Sequence, residues 1–321
     1  MSASAGRPVF KQIGGPGPTR DFVGYGRWVP RVTWPNGARV AVSIVLNWEE
    51  GSEVSKVVEG DGRSEAALAE IPYAMDPQYR DLACESVYEY GSRAGVWRVQ
   101  RLVDSFKIPV TFYGAAVAWE LHPEVAAWVR EAGHEPCSHG WRWEEPWLLT
   151  REEEQAHIAE AVASIERTCG ERPRGWYCRY GPSVHTRELL VEEGGFVYDS
   201  DAYNDDLPYY VEVSGKRHLI LPYSFTYNDA RFVLPPGYGG PEDFFDQCRR
   251  ALDYLWDEGA THPRMMSIGL HSRLIGQAGR ISALRDFFEY AHEKGDVWFA
   301  RRLDIANWWN EHHEEFPVER A

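Results

Sequence analysis

Residues 39–47, RVAVSIVLN, form an almost unbroken run of β-branched and aliphatic side chains. A run with no polar face suits a strand buried on both sides, as in a parallel sheet. Beyond residue 86 the chain repeats a pattern. The spacing predicts a helix over 89–106, with Val96, Val99, Leu102, Val103 and Phe106 on one face, then the strand PVTFYG. A helix near 122–132 and a strand near 134–138 come next. The helix over 151–169 opens on a capping box, Thr150 and Glu153, and stops at Gly170. Strand GWYC, helix VHTRELLVEEGG, strands FVYDS and HLILPYS, helix 242–258, strand MMSIGLH, helix 281–294, strand VWFA and a final helix complete the chain. Strand then helix, repeated this often, predicts an α/β parallel sheet or barrel. A chain of 321 residues fits one such barrel. Residues 1–38, rich in Gly, Pro and Trp, read as an irregular arm, leaving 39–321 as one domain. Residues 50–86 show no clear period, and a loop that long implies a lid, a subunit contact or disorder.

Ionisable residues fall just after the strands. Asn47, Glu49 and Glu50 follow the first, and His139 follows the strand near 134–138. Cys178 and Arg179 follow GWY, Asp199 and Asp201 follow FVY, and His271 and Arg273 follow MMSIGL. Parallel α/β folds gather their active sites at these carboxyl ends. Adjacent carboxylates repel, so Glu49 or Glu50 is a candidate base; the plain alternative is a pair of solvated acids opening a helix. His271 suits protonation of a leaving nitrogen. Arg273 either grips a carbonyl or carboxylate or forms a structural ion pair. In CSHGWRWEE, Trp143 stands four residues after His139, where a second histidine would complete a metal-binding pair. Indole offers only an N–H donor and cannot ligate a cation. Trp143 is expected to fill that volume, stack on a flat ring or pack the core. Cys137 and Cys178 are weighed as nucleophiles, with inert buried thiols as the stronger reading.

A net charge of −15 argues against nucleic acid and against an anionic membrane as partner. No apolar run approaches membrane-spanning length. Five separated cysteines without CxxC read as reduced thiols. MSASAGRPVF has no basic stretch followed by an apolar one, so the expected location is cytoplasmic.

The strings VLNWEEG, EPCSHGWRW, RPRGWYCRYG, YDSDAYNDDLPYY and IGLHSRLIG stand in the order of the motifs of the polysaccharide deacetylase superfamily. With the GYGR of the arm and YEYGSRAGVWR, the chain resembles more closely the allantoinase branch of that superfamily, from about Phe22 to Trp308. The resemblance implies a distorted (β/α) barrel, often in a homotetramer. It places Glu49 at the base position, Glu50 at the metal-carboxylate position, His139 at the first histidine, Trp143 at the second, and His271 at the general acid. The arginine of the family's RxPY motif is replaced by Tyr177, with Arg179 two residues on. Only Glu50 and His139 remain as metal ligands, where catalytic zinc normally has three. No cofactor is therefore expected, with zinc possible if His185, Asp201 or Asp205 supplies a third ligand. The implied activity is hydrolysis of a C–N bond in a small cyclic amide: allantoin, a hydantoin or a cyclic imide. Tyr177, Arg179, Asp201, Arg273 and Trp143 are the expected substrate contacts, and His139, with backbone N–H groups or Arg179, is expected to stabilise the oxyanion. Two other readings stand beside it: a metal-dependent N-deacetylase of an amino-sugar derivative, and a catalytically silent binding module.

Overall fold

The computed structural model describes residue 15 and residues 17–73 and 75–318. Its elements run β1 (Val40–Trp48), α1 (Leu82–Tyr90), α2 (Val96–Phe106), β2 (Val110–Gly114), α3 (Ala116–Leu121), α4 (Pro123–Ala132), β3 (Glu135–Ser138), α5 (Arg151–Cys169), β4 (Gly175–Trp176) and α6 (Thr186–Glu193). They continue as β5 (Tyr198–Asp199), β6 (Tyr209–Val213), β7 (Lys216–Ile220), α7 (Pro241–Glu258), β8 (Arg264–His271), α8 (Ser272–Ile275), α9 (Ile281–Lys294), β9 (Val297–Phe299) and α10 (Arg302–His312).

One curled sheet carries the order β6-β7-β5-β4-β3-β2-β1-β8, with β9 also paired to β1. All pairings are parallel except β6 with β7. This is a distorted (β/α) barrel, the fold the sequence resemblance implies. β1 pairs with β2, β8 and β9, and every one of its residues is buried. Val42, Ile44 and Leu46 face outward against Val96, Val99, Leu252 and Phe287 of the helices. Ala41 and Val45 face inward with Tyr113, Cys137, Tyr198, Leu219 and Met265. Alternate residues thus serve two apolar layers, which is why the sequence shows a run rather than an alternation. Each fully buried valine or leucine contributes about 1.5–3 kcal/mol, so a charge inside β1 would remove both layers' support at once.

The barrel has a seam between its edge strands, β6 and β8. Two loop segments bridge it: the Gly269 amide donates to the Tyr227 carbonyl (3.0 Å), and the Met265 amide donates to the Asp206 carbonyl just before β6 (3.1 Å). The start of α10 plugs the floor. There Arg302 donates to Ser43 Oγ, Ser200 Oγ and the carbonyls of Leu221 and Pro222.

Three elements differ from expectation. The 89–106 helix is α1 and α2 joined through a π-helical turn, Gly91–Gly95. The helix near 122–132 is preceded by the separate α3, from which Pro123 starts α4 afresh. β6 forms an antiparallel hairpin with β7 through Ser214 and Gly215, both at positive φ. Among the described residues, no helix is long and apolar enough to cross a membrane.

Candidate active site

β1 ends at Trp48, and the chain turns at once. Ser52 donates to the Glu49 carbonyl from both its amide (2.9 Å) and its Oγ (2.6 Å). Asn47 Nδ2 donates to the Leu270 carbonyl (3.1 Å), tying the ends of β1 and β8 together. Glu49 and Glu50 are therefore held in a tight turn and do not open a helix; the next helix begins at Leu82. Both side chains are buried.

The Glu49 carboxylate is the centre of the cluster. Its Oε2 accepts from Arg273 Nη2 at 2.6 Å. Its Oε1 lies 3.3 Å from His139 Nε2 and 3.6 Å from His271 Nε2. Glu50 accepts from Ser272 Oγ and from the Glu49 amide (3.0 Å), with Arg273 Nη1 at 3.5 Å. Glycine is needed at two places here. A Cβ on Gly91 would meet Glu50 Oε1 at 2.2 Å, and one on Gly95 would meet the Ser272 carbonyl at 2.0 Å. The π-helical turn lays these two glycines directly against the site.

Each histidine has one nitrogen fixed by a neighbour. His139 Nδ1 donates to the Tyr177 carbonyl at 2.6 Å, which turns Nε2 toward Glu49. His271 Nδ1 donates to Asp229 Oδ1 at 2.6 Å, so its Nε2 faces the same carboxylate. Asp229 Oδ2 also accepts the amides of His271 (2.7 Å) and Ile275 (3.0 Å). Burial disfavours a charged imidazole, yet Glu49 and Asp229 together push His271 up to about 9. Burial alone would raise the Glu49 carboxyl. The charges of Arg273 and His271, with hydrogen bonds from both histidines, instead hold it well below the usual carboxylate range. At neutral pH the cluster holds an ionised Glu49 between a guanidinium and an imidazolium.

The structure brings Glu49, Glu50, His139, His271 and Arg273 together; the other expected residues stand elsewhere. Trp143 does not occupy the space beside the carboxylates, because Arg273 does. Trp143 lies one layer out, edge-on to Tyr88 and Tyr180, with the Arg273 guanidinium 5.6 Å from its ring. Arg179 is not free to hold an oxyanion: it pairs with Glu65 (2.6 Å), donates to the Trp143 carbonyl (3.0 Å) and lies 3.8 Å over the Trp143 ring. Tyr177 stacks on His139, with ring centres 5.2 Å apart and planes 3° from parallel, and its hydroxyl bonds that of Tyr203 (2.9 Å). Asp201 turns to the other face of the sheet. There it accepts from Trp176 Nε1 (3.1 Å) and the Cys178 amide (3.0 Å), and burial with the nearby Asp199 charge pushes it up to about 7. Burial raises the Cys137 and Cys178 thiols well above their ordinary value, so neither is poised as a thiolate.

The residues present do not fit a three-ligand zinc. The Arg273 guanidinium already balances both carboxylates, and a second cation beside it would be repelled. The candidate third ligands are engaged away from Glu50 and His139: Asp201 as above, Asp205 on the Leu207 amide, and His185 at the start of α6. Among the described residues, no three His, Cys, Asp or Glu side chains are disposed to share one ion.

Sequence reasoning missed Asp229, Ser272 and the two glycines. Asp229 sits in a short 3₁₀ turn, Asp229–Phe232, capped by Asn228. Nothing in its local sequence distinguishes it from other loop aspartates.

Comparison with known proteins agrees with this architecture. Residues 84–198 match the family model described as polysaccharide deacetylase. A putative polysaccharide deacetylase of Schizosaccharomyces pombe is 37% identical over 317 residues, covering 92% of this chain and 98% of that one. Two crystal structures superpose with a TM-score of 0.88, each covering 92% of this chain and 98% of its own. One is a probable polysaccharide deacetylase from Pseudomonas aeruginosa PAO1 at 46% identity; the other is Puue allantoinase at 47%. With likeness of this extent along nearly its whole length, the chain belongs to the polysaccharide deacetylase family of hydrolases acting on C–N bonds, and within it resembles the allantoinase-like branch.

Proposed function

We propose that this protein hydrolyses a C–N amide bond in a small cyclic amide, such as allantoin, a hydantoin or a cyclic imide, without a metal ion. The observation that carries the reading is the Glu49 carboxylate held between Arg273 and His271 in a fully enclosed cluster. A polymer chain needs an open groove, and the five cluster residues are each at most 3% exposed. The 47% identity to Puue allantoinase supports a ring substrate.

The chemistry follows from the charges. In the resting cluster, Arg273 keeps Glu49 too weak a base to activate water. A ring carbonyl that takes one guanidinium N–H polarises toward attack and loosens the pair, raising the basicity of Glu49. Glu49 then accepts a proton from water as the oxygen adds to the carbonyl carbon. His271, protonated at neutral pH, donates from Nε2 to the ring nitrogen as the C–N bond breaks. Asp229 orients that imidazole through Nδ1 and favours its charged form. Glu50, bound to Ser272 and the Glu49 amide, positions the turn rather than the water.

The test is a panel of allantoin, hydantoin, succinimide and glutarimide, assayed with and without chelator. The expected result is turnover of at least one ring, unchanged by chelator. Chelator-sensitive release of acetate from an N-acetylated amino sugar, with all four rings inert, would refute this function.

A further inference from the structure

Glu49, Glu50, His139, His271 and Arg273 are each at most 3% exposed. A site so closed binds nothing until something moves. His139 lines a small cavity of about 20 Å³ with Trp141, Trp176 and Arg179, and a larger groove of about 340 Å³ runs past Tyr203, Asp206 and Tyr227. Tyr177, packed on Tyr113, Tyr223 and His139, walls it from the cluster.

What covers the cluster is residues 53–80, which run from the β1 turn to Asp81 without a helix or multi-residue strand among the described residues. This strap touches the site through two backbone carbonyls. The Leu68 carbonyl accepts from Arg273 Nε (3.1 Å), and the Ala67 carbonyl accepts from Tyr88 Oη (2.7 Å). Leu68 sits at φ 53°, a left-handed conformation costly for a leucine. Its apolar seal is small: Leu68 and Ala69, with the half-buried Ala66, Ala67 and Ile71, pack on Cys84, Tyr88, Trp143 and Ala230, in a cluster separate from the two barrel layers. At its root Glu53 bridges Trp143, and the Glu53 carbonyl accepts from Arg142 Nη2 (2.8 Å). Beyond the root, side-chain ion pairs supply most of the anchors: Asp61 with Arg142, Glu65 with Arg179, Arg63 with Glu145, and Glu70 with Arg280. A segment with little apolar burial and mainly ionic anchors is the kind that opens locally while the rest of the fold stays intact.

We propose that residues 53–73 and 75–80 form a lid that opens to admit substrate and, on closing, completes the site by setting Arg273 with the Leu68 carbonyl. The proposal rests on the reading of the Glu49 cluster as the active site. Closure places Arg273 with Nε on the Leu68 carbonyl and Nη2 on Glu49, so the guanidinium is fully positioned only when the lid is down.

The full chain carries its own reporter. Cys84 lies beneath the lid, whereas Cys137, Cys169, Cys178 and Cys248 are buried in the barrel and helix layers. Native protein is treated with methyl methanethiosulfonate, and each cysteine is followed by peptide mass spectrometry. Lid opening predicts that Cys84 reacts at least about tenfold faster than the other four. Equal rates for all five would overturn the proposal, because the segment would then open only with the whole fold. In a second arm, Glu70→Cys and Arg280→Cys are joined by a short, cleavable bismaleimide, and peptide mass spectrometry selects the preparation in which Cys84 is still a free thiol. Linking should slow Cys84 labelling and lower ring-amide turnover at least about tenfold, with both restored on cleavage. Undiminished turnover in the linked protein overturns the lid. If no ring amide is hydrolysed by any form, the proposed function fails, and the Cys84 rates still decide whether the lid exists.

Discussion

Two arginines lie fully buried in this barrel, and they are held in opposite ways. Arg302, at the floor, has no carboxylate in ion-pair reach among the described residues; its guanidinium is shared among Ser43, Ser200 and the carbonyls of Leu221 and Pro222. Arg273, at the carboxyl ends of the strands, faces two glutamates and one carbonyl. Neutral acceptors, two serine hydroxyls and two backbone carbonyls, make Arg302 a cross-brace between β1 and the segments after β5 and β7. Titratable partners make Arg273 a charge whose bonds can be redistributed. The lesson is that burial alone does not separate a structural arginine from a functional one; the partners do.

The largest expected effects set these two against each other. Arg302→Met strands several buried acceptors and should cost about 3–5 kcal/mol in denaturant unfolding. Arg273→Met should cost a similar amount, about 3–5 kcal/mol, by leaving buried glutamates unpaired. It should also lower ring-amide turnover by about 10³-fold or more. They part with pH. In the wild type, Glu49 is held below its ordinary 4.5, so its contribution to stability is present above that pH and is lost as pH falls further. In Arg273→Met the sign reverses, and stability should recover as pH drops from 7 toward 5 and the glutamates protonate. Arg302→Met should recover much less. Identical pH profiles would erase the distinction.

Asp229→Asn should have a middling effect, lowering turnover by about 10²-fold. His271 is raised to about 9, so its charged form stabilises the fold fully below the ordinary imidazole value, and that contribution disappears as pH rises through about 9. The alkaline limb of kcat should fall there, and should move about 1–2 pH units lower in Asp229→Asn. A pH–rate profile with an unmoved limb would remove His271 from the acid role.

The smallest effect concerns Trp143. Trp143→His restores an imidazole four residues after His139, yet Arg273 still opposes a cation. Zinc uptake from a metal buffer should rise less than about tenfold in the single variant, and at least about 10²-fold when Arg273→Met is added. Stoichiometric zinc in the single variant would show that the guanidinium is not what excludes it.

Much of this frame is legible in the sequence, because β1, α5, α7, α9 and β8 are long and strongly patterned. The capping box at Thr150 holds as read. The β6–β7 hairpin has a signal of its own, YYVEV and KRHLI around Ser-Gly, a two-residue turn, but a strand-then-helix alternation leaves no place for it. Glu49, Glu50, His139 and His271 stand out because each follows a buried strand. Arg273 follows one too, but its pairing with Glu49 joins positions more than 200 residues apart and has no local signal. Asp229, in a 3₁₀ turn outside any strand end, becomes visible only in three dimensions; the segment 50–86 stands out in sequence by its lack of period, but what it covers does not.

Arg273 also bears on supply. A positive charge carried on a side chain arrives with translation, in fixed stoichiometry, and cannot be stripped, exchanged for a wrong ion or withheld by scarcity. What such a centre gives up is adjustability: its strength is altered only by mutation or by whatever lies against its other face, which here is the peptide oxygen of Leu68.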